Sequence, residues 1–115
     1  MKDIYGGHGF WILAEDGRTP ILTNDMKLVS RMFNDHEKKV VGRNRDEERD
    51  ITVSTVFLAF DHGWEPGKPV LFETMVFGGE DDGYIRRYHT WEEAERGHGL
   101  ICGRVGIPWN QKKVG

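Results

Sequence analysis

One cysteine stands in the 115 residues of this chain. A lone thiol, Cys102, excludes an intramolecular disulfide framework and a cysteine-built zinc site. It fits a reducing compartment such as the cytoplasm. No apolar run approaches the roughly 20 residues that a membrane helix needs, and the opening MKDIYGGH has no hydrophobic stretch, so neither a membrane segment nor a secretory leader is expected. Charge of one sign is also scarce. The 16 Lys and Arg against 19 Asp and Glu leave a net charge of −3, which gives no general attraction to nucleic acid or anionic lipid. Sequence motifs of specific chemistry are missing too. There is no HExxH, no GxSxG around Ser54, and no glycine loop between a strand and a helix, because Gly6-Gly7-His8-Gly9 precedes a strand.

What the chain has in excess is glycine, 15 residues, and tryptophan, four residues. The glycines predict tight turns and close backbone approaches. Trp11, Trp64, Trp91 and Trp109 serve either the core or a contact surface, since tryptophan is enriched at both. A hydrophobic fraction of 37% with 30% charged residues is that of a folded domain rather than a disordered chain. The length suits one domain, residues 1–115, with a frayed tail over about 109–115.

Hydrophobic patterning orders the elements as β-β-α-β-β-β-β-α. Residues 8–14 (HGFWILA) read as a strand, and the turn at Glu15-Asp16-Gly17 returns the chain to a second one at 20–22. Asn24 is a helix N-cap. Leu28, Val29, Met32, Phe33 and His36 then recur at helical spacing, predicting a helix over about 25–36. A short strand at 39–42 leads to the charge run 43–50 (RNRDEERD), read as a solvated hairpin tip. Residues 51–60 (ITVSTVFLAF) are the strongest strand, central because both faces are apolar. Strands follow at 69–77 and 84–88, the latter edge-like. Thr90 and Glu93 form a capping box, and the stripe of Trp91, Ala94, His98, Ile101 and Val105 marks a helix closed by Gly106 and Pro108. The expected fold is α+β: an antiparallel meander of four to five strands with two helices packed on one face.

Few residues invite chemistry. Glu73 shares a strand face with Leu71, Met75 and Phe77, where a carboxylate is either paired, with Arg86 or Arg87 across the hairpin, or shifted in pKa for function. Asp61 and His62 open a loop after the strongest strand, and loops at strand ends build sites. With Glu73 and His89 or His98 they offer metal-ligand types but no zinc spacing; the alternative is a turn-forming Asp61 and a surface His62. Arg86 and Arg87 lie between Tyr84 and Tyr88, suited either to phosphate recognition or to pairing with the acidic turn Glu80-Asp81-Asp82. Cys102 is a packing residue.

Three segments carry a resemblance: residues 54–62 (STVFLAFDH), 71–79 (LFETMVFGG) and 90–98 (TWEEAERGH). On these the chain, over roughly residues 8–105, resembles a family of small accessory proteins of bacteriophages and prophages. The charged run 43–50 lies outside the familiar pattern. The resemblance implies action in the host bacterial cytoplasm and assigns no catalytic residue. It points to a protein acting by binding, foremost in counter-defence, either sequestering a nucleotide-like immune signal or occupying a host defence protein. His62, Trp64, Glu73, Arg86 and Arg87 are the candidate ligand-binding residues. The alternatives are a small metal- or carboxylate-dependent hydrolase or nuclease using Asp61, His62 and Glu73, and a housekeeping phage protein of DNA metabolism or assembly. No cofactor or metal is specified by the residues. A homo-oligomer is expected, paired through the 84–88 edge and the tryptophans.

Overall fold

The computed structural model describes residues 10–65 and 67–109. Within them the chain is α+β, with two antiparallel sheets and three helices. The expected strand at 8–14 appears as β1 (Phe10–Leu13); His8 and Gly9 lie outside the described residues. β1 pairs with β2 (Pro20–Thr23), setting Ile12 opposite Ile21. Asp16 closes their turn: its Oδ1 accepts from the amides of Arg18 and Thr19 at 2.8 and 2.9 Å.

The helix expected over 25–36 is broken in two. Helix α1 (Met26–Asn34) is capped one residue later than expected, by Asp25, whose Oδ1 accepts from Lys27 N at 3.0 Å. It stops at Asp35, which leaves the helical region at φ −102°, ψ 88° and caps the single turn α2 (His36–Lys39) instead. The charge run 43–50 is also more structured than a tip. Strand β3 (Val40–Asp46) carries Arg43 and Arg45 outward, and Arg45 bonds Thr52 Oγ1 at 2.8 Å and Asp50 at 2.7 Å. The short strand expected at 39–42 thus runs on to Asp46, and mixed charge hid that extension because one face of it meets solvent.

The larger sheet is a meander in the order β3-β4-β5-β6. Strand β4 (Ile51–Phe57) is internal as expected, burying Ile51, Val53, Thr55 and Phe57 on one face. It ends three residues earlier than its apolar run because Ala59, fully buried, sits at φ +67° and turns the chain. The turned segment reaches the hairpin: Phe60 bridges Phe10, and Trp11 N donates to Ala59 O at 2.9 Å. Strand β5 (Phe72–Phe77) buries Phe72, Thr74 and Val76, and β6 (Ile85–Tyr88) forms the edge.

Helix α3 (Trp91–Val105) lies across the buried face of this sheet. Thr90 Oγ1 accepts from Glu93 N at 3.1 Å, while the Glu93 carboxylate bonds back to His89 N at 2.9 Å, one residue beyond the expected Thr90. Gly106 ends the helix at φ +79°, and Arg49 holds the terminal carbonyls of Val105 and Gly106 at 2.9 and 3.0 Å. The expected second helix on this face is absent: α1 packs on β1, and Met32 is its link to the shared core.

That core has two apolar halves. One gathers Leu13, Met32, Phe57, Leu71, Phe72, Tyr88 and Ala94; the other gathers Ile51, Val53, Val76, Ile101, Cys102 and Ile107. Trp11 and Trp91 pack on the first and Trp109 on the second, so three of the four tryptophans serve the core. Trp109, at the start of the tail expected over about 109–115, packs on the second half of the core, and residues 110–115 lie outside those described.

Candidate functional site

Between the two apolar halves runs a buried line of polar groups. Asn44 on β3, Thr55 on β4, Thr74 on β5 and Tyr88 on β6 each contribute one side chain, and His98 joins them from α3. His98 Nε2 stands 2.7 Å from Asn44 Oδ1, and His98 Nδ1 2.6 Å from Thr55 Oγ1. Thr55 and Thr74 hydroxyls are 2.5 Å apart, and Thr74 meets the Tyr88 hydroxyl at 2.9 Å. One direction satisfies every member: Tyr88 donates to Thr74, Thr74 to Thr55, Thr55 to Nδ1, and Nε2–H to the Asn44 carbonyl oxygen. Asn44 in turn donates to Pro108 O at 3.5 Å. His98 is therefore neutral, and burial lowers its pKa to about 4. Burial also raises the Tyr88 hydroxyl, and pushes the Cys102 thiol up to about 11, which leaves that sulfur protonated and inert. The line has no access to solvent at Thr55, Thr74 or His98 and acts on the fold.

The candidate residues on the surface do not converge. Glu73 and Arg87 are register partners on the sheet face away from α3, joined by a 3.0 Å Nε–Oε2 bond. This is the paired alternative for Glu73. Glu73→Gln is expected to cost no more than about 1 kcal/mol in chemical denaturation, because Arg87 stays in contact with water. Arg86 faces the opposite way, its guanidinium 5.7 Å from the Tyr88 ring centre. The acidic turn takes a different arginine, Arg104, whose Nη2 lies 3.2 Å from Asp81. His89 Nδ1–H donates to Pro69 O at 2.9 Å. Among the described residues no three His, Cys, Asp or Glu side chains gather where they could hold a metal ion. The convergence of Asp61, His62 and Glu73 that a metal-dependent hydrolase needs is thus not formed.

His62 and Trp64 have different company. Asp61 Oδ1 accepts from Gly63 N at 2.8 Å and Val70 N at 2.9 Å, pinning the base of the β4–β5 loop. His62 Nδ1–H donates to Phe60 O at 3.1 Å, with its ring edge-on to the Phe60 ring. Phe60 is in turn 5.1 Å from Phe10 and 5.5 Å from Phe33, ring centre to ring centre, and the Lys39 ammonium lies 5.2 Å from the Phe33 centre. Phe33 and Phe60 are 37% and 39% exposed, and Trp64, four residues on, is 91% exposed. The site is a shallow aromatic surface built by β1, α1 and a pinned loop. Open grooves of about 750 Å³ beside α1 and α2, about 460 Å³ between Arg49 and Arg104, and about 490 Å³ beside Trp11 and Pro69 are lined by none of His62, Trp64, Glu73, Arg86 or Arg87.

Sequence reading found His62 and Trp64 but missed Phe33 and Phe60, which it gave to the helix stripe and the central strand. The turn at Ala59 takes Phe60 off the central strand, while Phe33 stays on the last turn of α1 and is only partly covered. No protein-family model, curated protein or solved structure matches the chain. No helix among the described residues is long and apolar enough to cross a membrane.

Proposed function

We propose that the chain works by binding a protein partner, and that the aromatic surface of Phe33, Phe60, His62 and Trp64 is where it does so. One observation carries this reading: a 91% exposed tryptophan stands on a pinned loop, four residues beyond Phe60, which with Phe33 forms a pair of touching rings each more than a third exposed. Exposed aromatic rings held on an ordered base offer large contact area with little ordering entropy left to lose, and tryptophan dominates binding hot spots. Within the bacteriophage setting that the resemblance implies, the partner is a host defence protein in the bacterial cytoplasm and the act is counter-defence. A nucleotide-like signal has less support, since Arg87 is tied to Glu73 and Arg86 stands apart on the other face. A metal-dependent hydrolase or nuclease has less support too, since among the described residues no three acids, histidines or cysteines gather where they could hold a metal ion.

Trp64→Ala tests the reading. In plating assays on a bacterium carrying the opposed defence system, the variant is expected to lose protection by at least about tenfold, as deletion of a hot-spot side chain worth about 2 kcal/mol requires. Its melting temperature should stay within about 2 °C of the parent, because so exposed a ring contributes little to stability. Full protection by Trp64→Ala and by Phe60→Ser would remove this surface from the function. A parent chain that protects on no defended host would remove counter-defence.

A further inference from the structure

The fold has three free strand edges among the described residues, and only one of them is undefended. β3 carries exposed Arg43 and Arg45, and β6 carries Arg86 and Arg87 at its centre. Antiparallel pairing of β6 with its own copy would set arginine against arginine, which is repulsive. The third edge, the outer side of β2, has no charge from Pro20 to Thr23, and its Ile21 and Leu22 are 46% and 55% exposed.

The hairpin register fixes which backbone groups this edge offers. Ala14 N donates to Thr19 O at 2.8 Å. Stepping by two, Ile12–Ile21 and Phe10–Thr23 are the hydrogen-bonded pairs, and Leu13–Pro20 and Trp11–Leu22 the non-bonded ones. The Trp11 amide obeys this, pointing out of the hairpin to Ala59 O. Pro20, which has no N–H, occupies a position where the hairpin needs none. On the outer side of β2, then, Leu22 presents both N–H and C=O, flanked by the Pro20 carbonyl and, as the alternation continues, the Asn24 N–H. Helix α1 packs on β1, so among the described elements none covers this edge.

We propose that β2 pairs antiparallel with β2 of a second copy about a two-fold axis at Leu22, joining two hairpins into one four-stranded sheet. This arrangement is self-complementary. Each Leu22 N–H donates to the second copy's Leu22 carbonyl, and each Asn24 N–H meets the second copy's Pro20 carbonyl. Pro20 has no N–H to return to the second copy's Asn24 carbonyl, so each of these outer pairs holds one bond and the ladder stops there. Leu22 packs on Leu22 across one face and Ile21 on Thr23 across the other, apolar and β-branched pairs of the kind that stabilise strands. The uncharged match of this edge with itself selects a second copy over a charged peptide strand. The interface uses neither Trp64 nor Phe60, so it stands or falls apart from the partner surface above.

Sedimentation of the full chain tests the pairing. Because the contact is small, a dimer is expected at about 0.1 mM that dissociates on dilution to about 0.1 µM. Leu22→Lys and Leu22→Glu should each weaken it at least about tenfold, since each places like charges opposite one another. Mixing the two variants should restore association, because the axis sets residue 22 against itself. In the parent chain, the Leu22 amide should exchange more slowly with solvent as concentration rises, a readout that needs no variant to fold. A parent chain monomeric at 0.1 mM, variants that still self-associate, a loss that mixing does not rescue, or exchange at Leu22 independent of concentration would each overturn the proposal.

Discussion

Gly97→Ala is expected to destabilise the chain by about 2–3 kcal/mol, although alanine is the better helix former by about 1 kcal/mol. A Cβ on Gly97 would overlap the Tyr88 ring and its hydroxyl. Tyr88 cannot step aside, because it is buried and its hydroxyl is held by Thr74. Gly103, two turns further along the same helix, gives the opposite expectation. Nothing lies within 4 Å of a Cβ there and its φ is ordinary, so Gly103→Ala should stabilise by about 1 kcal/mol. Thermal denaturation of both variants reads the contrast as shifts of opposite sign, each about 4 °C per kcal/mol for a chain of this size. Two destabilised variants, or two stabilised ones, would show that helix propensity or general crowding, and not the Tyr88 contact, governs these positions.

The same glycines show how far the fold was legible beforehand. Three glycines inside an otherwise periodic helix lower its propensity, which is visible in the sequence along with its advantage: a backbone free to lie close to a sheet. Which glycine touches what was not visible. Gly97 meets Tyr88, Gly99 meets Trp109 and Gly103 meets nothing, because the rotation of α3 over the sheet sets these contacts. Strands β4 and β5 were legible as strands, but the spans read for them, 51–60 and 69–77, each run three residues too long, and β4 buries one face where two were expected. The short strand expected at 39–42 is the start of β3, and its continuation to Asp46 was missed because Arg43, Asn44, Arg45 and Asp46 show no apolar face. The end of β4 was missed because Ala59 adopts a positive φ that its residue type does not announce.

The surface site was half legible for the same reason. Trp64 follows a turn signal in a polar loop, so its exposure could be read. Phe33 and Phe60 each continue an apolar pattern; the turn at Ala59 takes Phe60 off its strand, and Phe33, on the last turn of α1, is left only partly covered. The buried polar line carried a signal that periodicity contains. Thr55 falls between Val53 and Phe57, Thr74 between Phe72 and Val76, and His98 on the buried stripe of α3. Three polar groups on facing core positions must satisfy one another, since a buried polar group without a partner costs about 1–3 kcal/mol.

Acid should therefore weaken this fold through His98. An unfolded histidine titrates near 6.5, and burial holds His98 to about 4. Between those values the unfolded chain binds a proton that the native chain refuses, so stability falls as pH falls from about 6.5 to about 4, by about 3 kcal/mol in all. Above pH 6.5 the term is constant, and below pH 4 it changes no further. The hydrogen bonds explain the refusal. A proton on Nδ1 would turn His98 into a donor toward Thr55, reverse the Thr55 and Thr74 hydroxyls, and leave the Tyr88 hydroxyl facing one that now donates to it. His98→Leu removes the titration and the partner together. At pH 7 it should be about 2–4 kcal/mol less stable than the parent, since the Asn44 amide and the Thr55 hydroxyl lose their bonds. The difference between variant and parent should then shrink by about 3 kcal/mol as pH falls from 7 to 4. Every other titrating group is common to both chains and cancels in that difference. Urea denaturation of the two chains across this range measures it directly. Parallel stability curves would mean that His98 takes up its proton in the folded state with no cost, and that the one-directional line of hydrogen bonds from Tyr88 to Asn44 does not hold it neutral.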